Sequence, residues 1–151
     1  MQGFKVDSAG FGGYQTTFTL PADWQGKQVK LRFDGVSSES VVYLNGKEIG
    51  SHMGGMTAFE LDVTKGLKAG ENLLALRVRS ESLADMLGSL TQYAAHQLEG
   101  ITRKVTFFAV PDIHLSDLRI VTELDDDYKD ADLKVYLSVT NSSDEIQKDV
   151  S

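Results

Sequence analysis

Three histidines are the side chains of this chain that titrate near neutrality when unperturbed, and one of them stands among groups it could work with. His96 lies in the stretch 80 to 99 beside Gln92 and Tyr93. An amide, a phenol and an imidazole placed together can donate and accept hydrogen bonds to a polar ligand or to a neighbouring domain. His52 lies on a glycine-rich turn and His114 at the mouth of a strand, neither with a neighbour at metal-ligand spacing, so both read as packing or surface residues. The run Asp125-Asp126-Asp127-Tyr128-Lys129-Asp130 is dense in oxygen, but it lacks the glycine and the distal glutamate of a calcium-binding EF-hand loop and reads as a solvated turn. Glu60 and Asp62 alternate with Phe59, Leu61 and Val63 and so project to the wet face of a strand. No acidic pair is placed for acid–base work, no metal site is expected, and the absence of cysteine removes thiolate ligands and disulfides.

Composition narrows the partners. The net charge is −7 over 151 residues, which argues against nucleic acid or an anionic membrane surface, since both are held by basic patches. No apolar run approaches the ~20 residues of a membrane span. The first residues lack the basic and apolar regions of a signal peptide. A soluble protein is expected, of a compartment the sequence does not give.

The elements that must position these residues are strands. Val41-Val42-Tyr43-Leu44 runs into Asn45-Gly46, the pair that best supplies the positive φ values of a type I′ hairpin, and the chain turns apolar again at Ile49. Tyr14, Thr16, Phe18 and Leu20 alternate with polar residues, as do Val29, Leu31 and Phe33, then Phe59, Leu61 and Val63. Further strands are predicted over Leu73 to Arg79 and Ile101 to Val110. Residues 8 to 13 read as a glycine-rich loop, Ser51 to Met56 as a flexible connection, and 64 to 72 as a short helical turn closed by Gly70. Trp24, in a turn after Pro21, is expected to pack over the edge of the sheets. Residues 80 to 99 break the pattern, and an excursion of that length in an economical β domain is where function or an inter-domain contact is expected. From Asp112 a second unit begins, with strands over Ile113 to Leu124 and Ala131 to Thr140. Two strands do not bury a sandwich core, so the C-terminus reads as a cut. The expected domains are 1–110 and 111–151.

Six motifs in register then carry a resemblance. Tyr14-Gln15-Thr16-Thr17-Phe18-Thr19-Leu20-Pro21, Phe33-Asp34-Gly35-Val36, Leu44-Asn45-Gly46-Lys47, Phe59-Glu60-Leu61-Asp62-Val63, Gly70-Glu71-Asn72 and Gly100-Ile101-Thr102-Arg103-Lys104-Val105 resemble the N-terminal sugar-binding domain of glycoside hydrolase family 2, the β-galactosidases and β-glucuronidases. The resemblance covers roughly residues 10 to 110. It implies an all-β fold: a jelly-roll β-sandwich followed by the first strands of a truncated immunoglobulin-like sandwich. It also implies a catalytic (β/α)₈ barrel elsewhere in the parent chain, carrying the two glutamates that retaining hydrolysis sets about 5 Å apart. This stretch is then a non-catalytic accessory domain with no cofactor, which supports the barrel and shapes its entrance. Gln92, Tyr93 and His96 would lie at the active-site rim and meet β-glycosides weakly, or make an inter-domain contact. Two family positions depart: the sodium-holding aspartate corresponds approximately to Ala94, and an asparagine that meets galactose to Ala9. Apart from the resemblance, the strands of 111–151 have an apolar side without a sheet to pack on, and this segment is expected either to be mobile or to pair between chains in a swapped dimer. The alternative is an independent carbohydrate-binding or cell-surface interaction module on the same fold.

Overall fold

The computed structural model describes the backbone of residues 2–6 and, in full, residues 10–55, 57–79 and 100–146. Nearly all of them are in strands or tight turns. The chain divides into two compact units, Met1–Ala109 and Val110–Ser151.

The first unit is a β-sandwich. One sheet has five strands in the order β1 (Gln2–Val6), β2 (Phe11–Thr19), β8 (Glu71–Arg79), β5 (Glu39–Leu44) and β6 (Lys47–Met53). The other has three, β10 (Val105–Val110), β3 (Gln28–Phe33) and β7 (Phe59–Asp62), and β4 (Val36–Ser37) pairs with β9 (Gly100–Ile101) beside them. Alternation places Val29, Leu31 and Phe33 of β3 between the sheets, facing Val42 and Leu44 of β5 and Leu74, Leu76 and Val78 of β8, all of them buried. Phe18 meets Phe107 at 4.3 Å between centroids, and Phe33 stacks on Phe59 at 4.8 Å. These contacts tie strands distant in sequence into one core.

The Asn45-Gly46 hairpin is as the sequence predicts, with φ of 53° and 83° at the two turn residues and Leu44 paired with Lys47. Beyond it the structure corrects several expectations. The strand after the turn does not give way to a connection at Ser51: β6 continues to Met53, with Ser40 opposite His52. It can do so because a bulge at Ile49 sends that side chain to the core, and Gly50 leaves room where a Cβ would come within 2.7 Å of Leu61. His52 is therefore a strand residue, not a turn residue. Gly12 and Gly13 likewise belong to β2, where pairing with β1 on one side and β8 on the other overrides the weak strand preference of glycine. The strand predicted over Ile101 to Val110 is broken at Thr102 to Lys104, and the helical turn shrinks to the 3₁₀ turn Thr64–Gly66.

One polar cluster closes the hairpin end. Asn72 is fully buried, and its Oδ1 accepts hydrogen bonds from Asn45 Nδ2 and from the Lys68 amide, both at 2.8 Å. Its Nδ2 donates to the carbonyls of Lys68 and Gly70 at 3.0 and 3.1 Å. Asn45 in turn donates to the Gly66 carbonyl and accepts from the Leu73 amide. Every hydrogen-bonding position of the buried amide is filled.

The second unit is a hairpin of β11 (Ile113–Leu124) and β12 (Ala131–Asn141), in register from Leu124↔Ala131 to Ile113↔Asn141 with a bulge at Ser116. One face carries Leu115, Leu118, Ile120, Leu124, Leu133, Val135, Leu137 and Val139, each at least half exposed. The opposite face is polar, with Lys134 paired to Glu123 and Arg119 set 5.5 Å from the Tyr136 ring. The connecting turn is held by Asp125, whose carboxylate accepts from the Lys129 amide at 2.8 Å.

Asn72→Ala should destabilise the chain by about 2–4 kcal/mol, because it strands the Lys68 amide and two carbonyls in a site closed to water. Asn72→Asp, of nearly identical shape, should also destabilise, since it turns an acceptor oxygen on the Lys68 and Gly70 carbonyls. Urea unfolding checks both; a loss below ~0.5 kcal/mol in either variant would show that the amide is dispensable.

Candidate functional site

Gln92, Tyr93, His96 and Ala94 lie outside the described residues, as does Ala9. What the structure does describe is the pair of anchors between which residues 80 to 99 must run. Arg79 ends β8 opposite Phe11 on one side and Glu39 on the other, with its guanidinium 3.5 Å from the Glu39 carboxylate. Arg77 sits 3.6 Å over the Phe11 ring, a cation–π contact on the outer face of the five-stranded sheet. Gly100, opposite Ser37, has φ of +84°, and a Cβ there would come within 2.0 Å of the Tyr14 hydroxyl. The return is fixed to the turn after β3 by bonds from the Thr102 amide to the Gly35 carbonyl and from the Asp34 amide to the Lys104 carbonyl. Both anchors thus stand at the end of the unit where β8 finishes. Beneath them the Ser40 hydroxyl is buried with no partner among the described residues.

The carboxylates of the three-stranded sheet are occupied. Asp62 accepts from Lys30 at 2.7 Å and from the Thr64 amide at 3.0 Å; partial burial opposes ionisation, but these bonds outweigh it and hold the carboxyl below its usual range. Glu60 lies 2.9 Å from Arg32, which also reaches Asp34 at 2.7 Å. These are structural pairs on a wet face. His52 stacks on Phe59 at 4.2 Å with Nε2 3.2 Å from the Thr57 hydroxyl, and burial lowers its pKa. His114 donates from Nδ1 to the Pro111 carbonyl at 2.9 Å. Among the described residues no three histidines or carboxylates converge as metal ligands.

At the end where β8 begins, a groove of about 570 Å³ opens between the 3₁₀ turn Ala22–Trp24 and the segment from Thr64 to Gly70. Trp24 packs against the core from its half-buried position and forms one wall. Its carbonyl accepts from the Lys27 amide, closing the turn through Gly26 at φ of +77°. Thr64 accepts from the Val29 amide at 2.9 Å and donates to Gln28, which fixes the opposite wall. Lys27, Lys68 and Gln25 complete the lining, which includes no carboxylate. Nothing in the local sequence signals this groove beyond a tryptophan in a turn, because its walls come from segments some forty residues apart.

The comparisons with known proteins agree on one family. The family model described as "Glycosyl hydrolases family 2, sugar binding domain" matches residues 2–111. A β-galactosidase of Priestia megaterium is 32% identical over 130 residues, covering 86% of this chain and 12% of that protein. One from Clostridium acetobutylicum is 34% identical, covering 88% and 14%. Among solved structures, a Bacteroides uniformis β-glucuronidase superposes with a TM-score of 0.77 at 30% identity, over 91% of this chain and 17% of that one. The chain thus spans about an eighth of the curated relatives it matches. With motifs, relatives and superposed structures in agreement, this chain belongs to glycoside hydrolase family 2, its residues 2–111 being the family's sugar-binding domain.

Proposed function

We propose that this chain is a non-catalytic accessory domain of a larger, β-galactosidase-like glycoside hydrolase, in which it orders the catalytic (β/α)₈ barrel of the parent chain and shapes its entrance. The observation that carries this reading is the match of the sugar-binding family over residues 2–111 in relatives that extend far beyond it. The ion pairs of Glu60 and Asp62 support it, since carboxylates tied to Arg32 and Lys30 on an exposed sheet are poor candidates for an acid–nucleophile pair. Gln92, Tyr93 and His96 are the side chains we assign to the rim, where they meet the hydroxyls of a β-glycoside. Contact from one side alone gives one or two net hydrogen bonds of about 1 kcal/mol each, so binding through them is weak.

Residues 111–151 are, in the same reading, the opening strands of an immunoglobulin-like sandwich. Their apolar face sets eight side chains, each at least half exposed, on one side of the hairpin. In the chain as it stands, a second copy covers that face and makes a dimer through β11 and β12.

Incubated with nitrophenyl β-galactoside or nitrophenyl β-glucuronide, the pure chain should release nitrophenol no faster than buffer. Turnover that is abolished by substituting an acidic residue of this chain would overturn the accessory reading. Light scattering should find a dimer, and Leu118→Lys with Val135→Lys, on the apolar face of the hairpin, should convert it to a monomer of unchanged far-ultraviolet circular dichroism. A strict monomer before substitution would refute pairing through this face.

A further inference from the structure

We infer that the groove between Trp24 and Lys68 is a binding site for an anionic pyranose, a sugar ring that carries a carboxylate. This goes beyond the accessory role and does not depend on it. The groove has the volume of a small-molecule site, which runs from about 300 to 1,000 Å³. Three features select the ligand.

The first is charge. The chain carries 22 acidic against 15 basic residues, yet the lining holds two lysines and no carboxylate. No ion pair among the described residues engages Lys27 or Lys68, a state they share with Lys47, Lys65 and Lys104; what sets the two apart is that both line one concavity. Asp23 and Glu71 adjoin the groove in sequence without lining it. Two unneutralised ammonium groups at one concavity of an acidic protein focus a local field that favours an anion.

The second feature is shape chemistry. Trp24 is half-buried and stands on the groove wall, where an indole can stack on the C–H face of a pyranose as it does on other flat apolar surfaces. A simple inorganic anion would make no use of it. The third is hydrogen-bonding capacity. The Gln25 amide is exposed and has no partner among the described residues, so its donors and acceptor are free for ring hydroxyls. Thr64 and Gln28, bonded to one another, act as rigid wall.

The binding energy is modest because the groove is open and the lysines are solvated. Each exposed charge contact contributes little and is weakened by salt, so the dissociation constant should be about 1–10 mM.

Trp24 is the one tryptophan of the chain, so its fluorescence reads the groove directly. Titration of the full chain at low salt with D-glucuronate should change the Trp24 emission in a saturable way. D-Glucose should require at least about tenfold more ligand, the loss of one charge-assisted contact, and acetate should give no saturable change. Lys27→Ala with Lys68→Ala, both exposed and so without consequence for the fold, should bring glucuronate down to the level of glucose. Equal response to glucose and glucuronate, an acetate response equal to that of glucuronate, a flat titration, or an unchanged response in the double variant would each overturn the proposal.

Discussion

The amide pair Asn45–Asn72 is the constraint on which the first unit depends. A fully buried asparagine is costly unless all its donors and acceptors are used, and Asn72 uses them on two segments at once, the turn at Asn45 and the stretch from Lys68 to Gly70. Asn45 links the β5–β6 turn to the start of β8 and to Gly66, while Asn72 organises the approach from Lys68. The alternating strands either side supply the apolar layers, but layers can slide. A one-residue slip between β5 and β8 would carry every inward side chain to the wrong face, and it would also break this cluster. Hydrophobic burial gives the sandwich its energy; the amides fix its register.

That division explains what the sequence does and does not disclose. Inward positions of β2, β3 and β7 are readable because each strand has one wet face, so polar residues mark the alternation; in β5 and β8 outward Val41, Tyr43, Leu73 and Ala75 and inward Ser40 and Asn72 blur it. Asn-Gly is readable because few other pairs take two positive φ values cheaply. The extent of β6 is not readable. It rests on a bulge at Ile49 and on close packing of Leu61 against Gly50, both consequences of a partner strand that local pattern does not contain. β1 and the glycines of β2 are hidden for the same reason, since their pairing is decided by neighbours.

Site residues divide along a similar line. Carboxylates in strands declare their direction by parity, and Glu60 and Asp62 point outward as their spacing requires. Their partners, Arg32 and Lys30, follow from the same parity once β3 and β7 are known to be adjacent. His52 is less legible: glycines two residues away on either side, Gly50 and Gly54, suggest a turn, while its actual setting is a strand with its ring on Phe59. The groove beside Trp24 is least legible, because a concavity belongs to no single segment.

A catalytic carboxyl pair needs two environments that push the acidities apart, one group buried or crowded by like charge and the other stabilised as an anion. Four of the described acids of the first unit are arranged in the contrary sense. Asp62, Glu60, Asp34 and Glu39 each sit beside a lysine or arginine, and at Asp62 the bonds from Lys30 and Thr64 outweigh burial and favour the ionised form. The same alternation that turns these carboxylates to the wet face also sets each of them beside a cation of the neighbouring strand or turn. The chain leaves the sheets at the anchors Arg79 and Gly100 and at the turns that frame Trp24, where the proposed contacts lie. There, loops can bring side chains together without regard to strand parity.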